Sequence, residues 1–252
     1  MSDVPLYISD NDAQDYLVYD QKNSSFIFDT IYRCSAVPHI EEAIQKPGAT
    51  IQIAFHVQTS VTETIKDILS STQPTGDVWG HSELWFGKNI ARMVTYNDGT
   101  YLASLPPHGH ESPEWEIFTL PFHDTLKAFR IANNIVQTTT LQRIGYGIYF
   151  LRVVNHVLAQ WLDVMDEVER SHPDDELNPL DPSTWKNGVF CSQIVLLFLK
   201  ACVLQDAIRI ADKQKEKTFL ETYTHICLPS DLRKLLKDTW GDGIPVEYIT
   251  FE

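Results

Sequence analysis

The run at residues 189–204, VFCSQIVLLFLKACVL, constrains the fold more than any other stretch of the chain. From Ile194 to Leu204 it is apolar on every side of a helix except at Lys200. A helix without a polar face must lie inside a core or a membrane. This one carries Gln193 and Lys200 and is too short to span a bilayer. It is therefore expected to be a central helix with other elements packed around it. Its head has a different character. Cys191, Ser192 and Gln193 stand where the extended approach Asn187-Gly188-Val189-Phe190 turns into the helix. A helix N-terminus stabilises anions and lowers a thiol's pKa. Backbone N–H groups of the first turn can also donate to an oxyanion. Cys191 is thus a candidate nucleophile, and the competing reading is a small buried hydrophobe near a helix start.

Composition narrows the partners. The 252 residues include 20 Lys and Arg against 34 Asp and Glu, a net charge of −14. With no basic cluster, such a chain is not a nucleic-acid binder, and the charge also argues against anionic membranes. An apolar content of 43% and a charged content of 21% describe an ordinary globular protein. The four cysteines, Cys34, Cys191, Cys202 and Cys227, form no CxxC pair, which excludes a four-thiolate zinc site. The opening MSDVPLYISDNDAQDY has neither a basic nor an apolar signal region. Few cysteines and no secretory signal lead to the expectation of a reducing, cytoplasmic compartment. The other oily stretch, 144–162, contains Arg152, Asn155, His156 and Gln160 and reads as a core helix rather than a membrane span.

Along the chain, YISDNDAQDYLVYD suggests a short helix or turns, and SSFIFDTIY a strand. TIQIAFHV is rich in β-formers. Residues 61–72 have helical spacing, ended by Gln73-Pro74-Thr75-Gly76-Asp77. A β-rich section follows: WGHSELWF, a turn at Gly87-Lys88-Asn89, IARMVTY, a turn at Asn97-Asp98-Gly99, TYLASL, and then EWEIFTLP. Helices are predicted over 122–136, 145–170, 207–223 and 230–239, with VEYITF as a final strand. The expected product is a single α+β domain over 1–252. Within it, 1–48 is an N-terminal extension, 49–121 is mainly β and carries His81, and 122–252 is mainly helical and carries Cys191.

A cysteine nucleophile needs a base close by. In Gly80-His81-Ser82-Glu83-Leu84-Trp85-Phe86-Gly87, period-2 alternation puts His81, Glu83 and Trp85 on one face and Ser82, Leu84 and Phe86 on the other. If the second face is core, His81 points to a cleft. A hairpin centred near Lys88 would bring Thr95 or its neighbours opposite His81 to orient the imidazole. The competing reading is an exposed strand histidine with Glu83 as a surface companion.

Together, "GHSELWFG" and "FCSQIVLLFL", in that order and about a hundred residues apart, resemble the circularly permuted papain-like hydrolases. These form the branch of the NlpC-type superfamily with lecithin retinol acyltransferase and bacterial and large-DNA-virus relatives. The resemblance covers these two motifs and their order. It implies a permuted papain-like fold, with an antiparallel sheet packed on the cysteine helix. It also implies a thiol hydrolase or acyltransferase acting on an amide, ester or thioester, with Cys191 as nucleophile and His81 as general base and then acid. The family's third polar residue lies on the next strand. An ungapped count falls on Met93, which cannot orient an imidazole. Thr95, of the same strand parity, is the first choice and Glu83 the second. Ser192 and Gln193 either line the oxyanion site or serve as helix-start residues.

No metal or organic cofactor is expected. His108, His110 and His123 lack a completing carboxylate or cysteine set and read as loop residues. The acidic run from Asp163 to Glu176 lacks the spacing of a calcium loop and reads as a solvated face. Trp79 and Trp185 flank the two motifs as possible pocket walls. The expected substrate is a peptide, an amide or an acyl lipid. The alternative from another class is a catalytically inactive structural or binding protein of the same fold, with protein partners, such as a virion component.

Overall fold

The computed structural model describes residues 12–20, 25–56, 81–87, 90–96, 99–105, 114–144, 177–185, 189, 191–224, 229–241 and 243–250. The expected helices at 61–72 and 145–170 lie outside these residues. So do His108, His110, Cys227, Trp79 and the centres of the turns at 88–89 and 97–98.

Eight strands form one antiparallel sheet. They are β1 (Ala13–Asp20), β2 (Ser25–Tyr32), β3 (Ile51–His56), β4 (His81–Phe86), β5 (Ala91–Tyr96), β6 (Gly99–Ala103), β7 (Glu114–Thr119) and β8 (Val246–Thr250). Their spatial order is β1-β2-β6-β5-β4-β3-β7-β8. The described helices are α1 (Val37–Ile44), α2 (Thr125–Gln142), α3 (Cys191–Leu204), α4 (Lys213–Glu221) and α5 (Pro229–Trp240). The chain is thus an α+β protein. Strands from near its start and near its end share one sheet with the central ones.

One face of the sheet carries the main core. Ile51, Ile53, Phe55, Leu84, Phe86, Met93, Leu102 and Phe118 pack with apolar residues of α1, α2 and α3. Helix α3 is buried from Cys191 to Cys202, as an all-round apolar helix must be. The one cation in that span, Lys200, is satisfied through its Nζ, which donates to the Thr222 carbonyl. The other face is buried too. Ala54, Trp85, Trp115 and Ile117 form one cluster there. Ile31, Val94 and Ala103 form another. Burial on both faces explains why β3 and β4 are buried at every position although their sequences carry polar residues. The alternation expected for β4 holds: Leu84 and Phe86 join the main core, and Trp85 joins the opposite cluster.

Three elements differ from the sequence reading. Residues 13–20 are a strand, not a helix or turns, because all eight pair with β2 from Ala13↔Tyr32 to Asp20↔Ser25. Helix α2 starts later and runs further than 122–136. Asp124 caps it by accepting from the Lys127 N–H at 2.9 Å. The threonines at 138–140, which disfavour a helix, are accommodated by their hydroxyls: Thr139 donates to the Ile135 carbonyl and Thr140 to the Thr100 carbonyl, each at 2.8 Å. The helix expected over 207–223 is only α4. Its cap, Asp212, accepts from the Gln214 and Lys215 N–H groups. Ala207 and Ile208 instead bond to the segment before α2. Gly87, after β4, has φ +65, and a Cβ there would lie 2.3 Å from Ile90 Cδ1. Only glycine fits that turn.

Candidate active site

His81 opens β4 and lies directly opposite His56 of β3. Cys191 opens α3, whose apolar body fixes it against the sheet. The two meet: the Cys191 sulfur is both a hydrogen-bond partner and a charge partner of the His81 ring. They are 110 residues apart in sequence and brought together only by the packing of α3 on β4. His81 and Cys191 are 7% and 6% exposed, so the pair is screened from bulk water.

Glu83 contacts the ring as well. Its Oε1 lies 2.9 Å from His81 Nε2. With Nε2 committed to Glu83, Nδ1 is the ring nitrogen left for the sulfur. Two residues apart on one strand, His81 and Glu83 share a face, so the contact needs no second strand. Thr95 lies on the opposite face of the sheet from His81. The β4–β5 register sets Leu84 opposite Met93 and Trp85 opposite Arg92. Thr95 therefore shares the parity of Met93 and the helix-side face, away from the His81 face, and its hydroxyl lies 3.4 Å from that of Thr100.

Glu83 is held at both oxygens. Arg92 Nη1 donates to Oε1 at 2.8 Å and Trp85 Nε1 to Oε2 at 3.1 Å. The Arg92 Nη2 group donates to Asp29 on β2, as does the Tyr96 hydroxyl. Trp115 lies edge-on to the His81 ring, centroids 6.4 Å apart, and against His56 at 4.7 Å. Trp115 is thus the aromatic wall beside the pair. Trp185 is fully buried in the main core, its Nε1 donating to the Asn178 carbonyl. Ser192 and Gln193 are fully buried in the first turn of α3, next to the sulfur in sequence. His123 sits elsewhere, its Nε2 3.0 Å from the Asp206 carbonyl.

Reading the residues singly missed Arg92, Asp29, Tyr96 and His56. A signal was present for the first two. Each is a charge set in the middle of a β-former run, SFIFDTIY and ARMVTY, and a charge inside a buried strand requires an opposite partner.

Burial alone would lower the His81 pKa. The charge and hydrogen bond of Cys191, with those of Glu83, outweigh it and push the imidazole up to about 10. The partners that raise it flank the ring, Cys191 on one side and Glu83 on the other. In the same helix as Cys191, Cys202 has no such partner among the described residues, and burial raises its thiol well above the ordinary value. An unfolded histidine releases its proton near pH 6.5, whereas folded His81 keeps it to about 10. His81's contribution to stability is therefore complete below about pH 6.5 and is lost as pH rises toward 10. In urea titrations, the stability gap between wild type and His81→Asn is expected to be level from about pH 6.5 to 8.5, where folded and unfolded pairs bind equal protons, and to shrink as pH rises on toward 10. A gap independent of pH would show that the ring is not held as a cation.

Among the described residues, no group of three or more His, Cys, Asp or Glu side chains could hold a metal, and no helix is long and apolar enough to cross a membrane. The chain matches no protein-family model, no curated protein and no solved structure.

Proposed function

We propose that this protein is a cysteine hydrolase or acyltransferase of permuted papain-like fold, acting on an amide, ester or thioester. The observation that carries the reading is the buried line Cys191–His81–Glu83, with the thiol at the head of a core helix. Nucleophile, base and orienting acid stand in the order that acyl transfer needs. The strand bearing the histidine precedes the helix bearing the cysteine, as in the permuted branch.

The Cys191 thiolate attacks the substrate carbonyl carbon. A C–S bond forms and the carbonyl π pair moves to oxygen. First-turn N–H groups of α3 would receive that oxyanion. On collapse the bond to the leaving nitrogen, oxygen or sulfur breaks, and the imidazolium of His81 supplies its proton. An acyl-thioester on Cys191 and a neutral His81 remain. Water, or an acceptor hydroxyl or amine, then gives its proton to His81 and attacks the thioester. The acyl group leaves, and the thiolate–imidazolium pair returns. Glu83 keeps the ring oriented throughout by accepting from Nε2–H.

The test is a panel of activated acyl esters, thioesters and peptide amides incubated with the full chain. Mass spectrometry would look for an acyl adduct on Cys191, alongside turnover measurements. Wild type is expected to form the adduct and turn over. Cys191→Ala should lose both. His81→Ala should slow turnover by roughly 10²–10⁴-fold, the usual contribution of a general acid–base group. The low exposure of both side chains favours a second reading, a non-catalytic binding protein that retains the pair as a core feature. Absence of any adduct across the panel selects that reading.

A further inference from the structure

Beyond the three residues of the proposed chemistry, the sheet carries a buried chain of alternating charge. From β2 to α3 it runs Asp29, Arg92, Glu83, His81, Cys191. The side chains of Arg92, Asp29 and Glu83 are each at most 2% exposed. All three guanidinium nitrogens of Arg92 are engaged: Nη1 by Glu83 at 2.8 Å, Nη2 by Asp29, and Nε by the Ser104 carbonyl at 3.0 Å. A planar fork held at three points cannot swing. Burying an arginine between two carboxylates is expensive in desolvation and does not by itself imply stability. Its position, between the acid that orients His81 and an anchor on β2, suggests another use.

We propose that Arg92 is a positioning residue: clamped to Asp29, it keeps Glu83 ionised and aimed at His81 Nε2, so that Nδ1 stays on the Cys191 sulfur. The inference rests on Cys191 and His81 being a working pair. Other groups near the line have described contacts of their own. The hydroxyl of Tyr96 on β5 donates to Asp29 rather than to Glu83. Tyr32 on β2 donates to the Ile90 carbonyl. His56 on β3 stacks on Trp115. Trp85 gives Glu83 a hydrogen bond but no charge. Without Arg92, two buried carboxylates, Asp29 and Glu83, would lose the cation between them. Like charges in a low-dielectric site take up a proton, and a protonated Glu83 no longer favours the imidazolium of His81.

The experiment compares iodoacetamide alkylation of Cys191, followed peptide by peptide, at pH 6 and pH 8 in the full chain. It also follows the His81 ring titration by ¹⁵N NMR. In wild type the two rates should agree within about twofold, since a thiolate held by an imidazolium titrates below this range. In Arg92→Met the rate at pH 8 should exceed that at pH 6 by about tenfold or more, and His81 should titrate at least about one pH unit lower. Arg92→Lys keeps the charge without the fork and should fall between. In a Glu83→Gln background, removing Arg92 should change neither readout, because its effect runs through Glu83. Asp29→Asn should shift both readouts in the same direction as Arg92→Met but by less, and it decides the matter where Arg92→Met does not fold. A folded Arg92→Met or Asp29→Asn with wild-type ratio and titration overturns the proposal. So does an Arg92 effect that persists undiminished in Glu83→Gln. If His81 titration follows Arg92 while Cys191 alkylates like a free thiol in wild type, the positioning role stands and the hydrolase reading fails.

Discussion

Replacing His81 with alanine is expected to turn Cys191 from an armed thiolate into an ordinary or unreactive thiol. The diagnostic is the shape of the pH profile rather than the rate at one pH. A free thiol of pKa near 8.5 gains about seventyfold in thiolate between pH 6 and pH 8. Wild-type Cys191, paired with an imidazolium that persists to about pH 10, should change by less than about twofold over the same range. At pH 6 its advantage over a model thiol will be modest, because a less basic thiolate is also a weaker nucleophile. In His81→Ala the steep profile of an ordinary thiol should return, with burial raising its midpoint and the helix N-terminus lowering it. Cys34 is exposed and supplies an internal reference in the same digest. A steep wild-type profile like that of a model thiol would remove the nucleophile from the proposed mechanism.

Phe86→Ala is expected to be the most damaging of the single changes to the fold, destabilising it by about 3–5 kcal/mol. Phe86 is fully buried at the end of β4. Its ring meets that of Phe129 on α2 edge to face, centroids 5.2 Å apart. Truncation loses the transfer free energy of the ring, leaves a cavity between sheet and helix, and removes an aromatic pair worth about 0.5–1.5 kcal/mol. Against a total of about 5–15 kcal/mol for a folded domain, that is a large share. Urea denaturation measures it, and a loss under about 1 kcal/mol would mean that β4 and α2 do not pack as described. Phe86 points away from the His81 face. Any folded fraction of the variant should therefore keep the flat alkylation profile, which separates damage to the fold from damage to the site.

What could be read from the sequence follows from how local each feature is. The faces of β4 were legible because alternation within six residues is a local signal. The start of α3 was legible because an oily run with a polar head has one plausible boundary. The His81–Glu83 contact was within reach for the same reason, both residues lying on one strand. Preferring Thr95 required the register between β4 and β5, which turn geometry and side-chain packing set and residue counting does not. The strand at 13–20 depends wholly on its partner β2, and the length of α2 depends on where threonine hydroxyls find carbonyls. The charge line across the sheet was the least legible part. Asp29 and Arg92 lie 63 residues apart, and nothing nearby in sequence announces that they will meet.

That separation bears on how the chain matures. Proteins dominated by contacts between distant segments fold slowly, because long loops must close before those contacts help. Here α3 must dock on β4 before the sulfur has the His81 ring beside it. A nascent or partly assembled chain thus carries only an ordinary thiol. Reactivity at Cys191 would then report one event in folding, the arrival of α3 on β4.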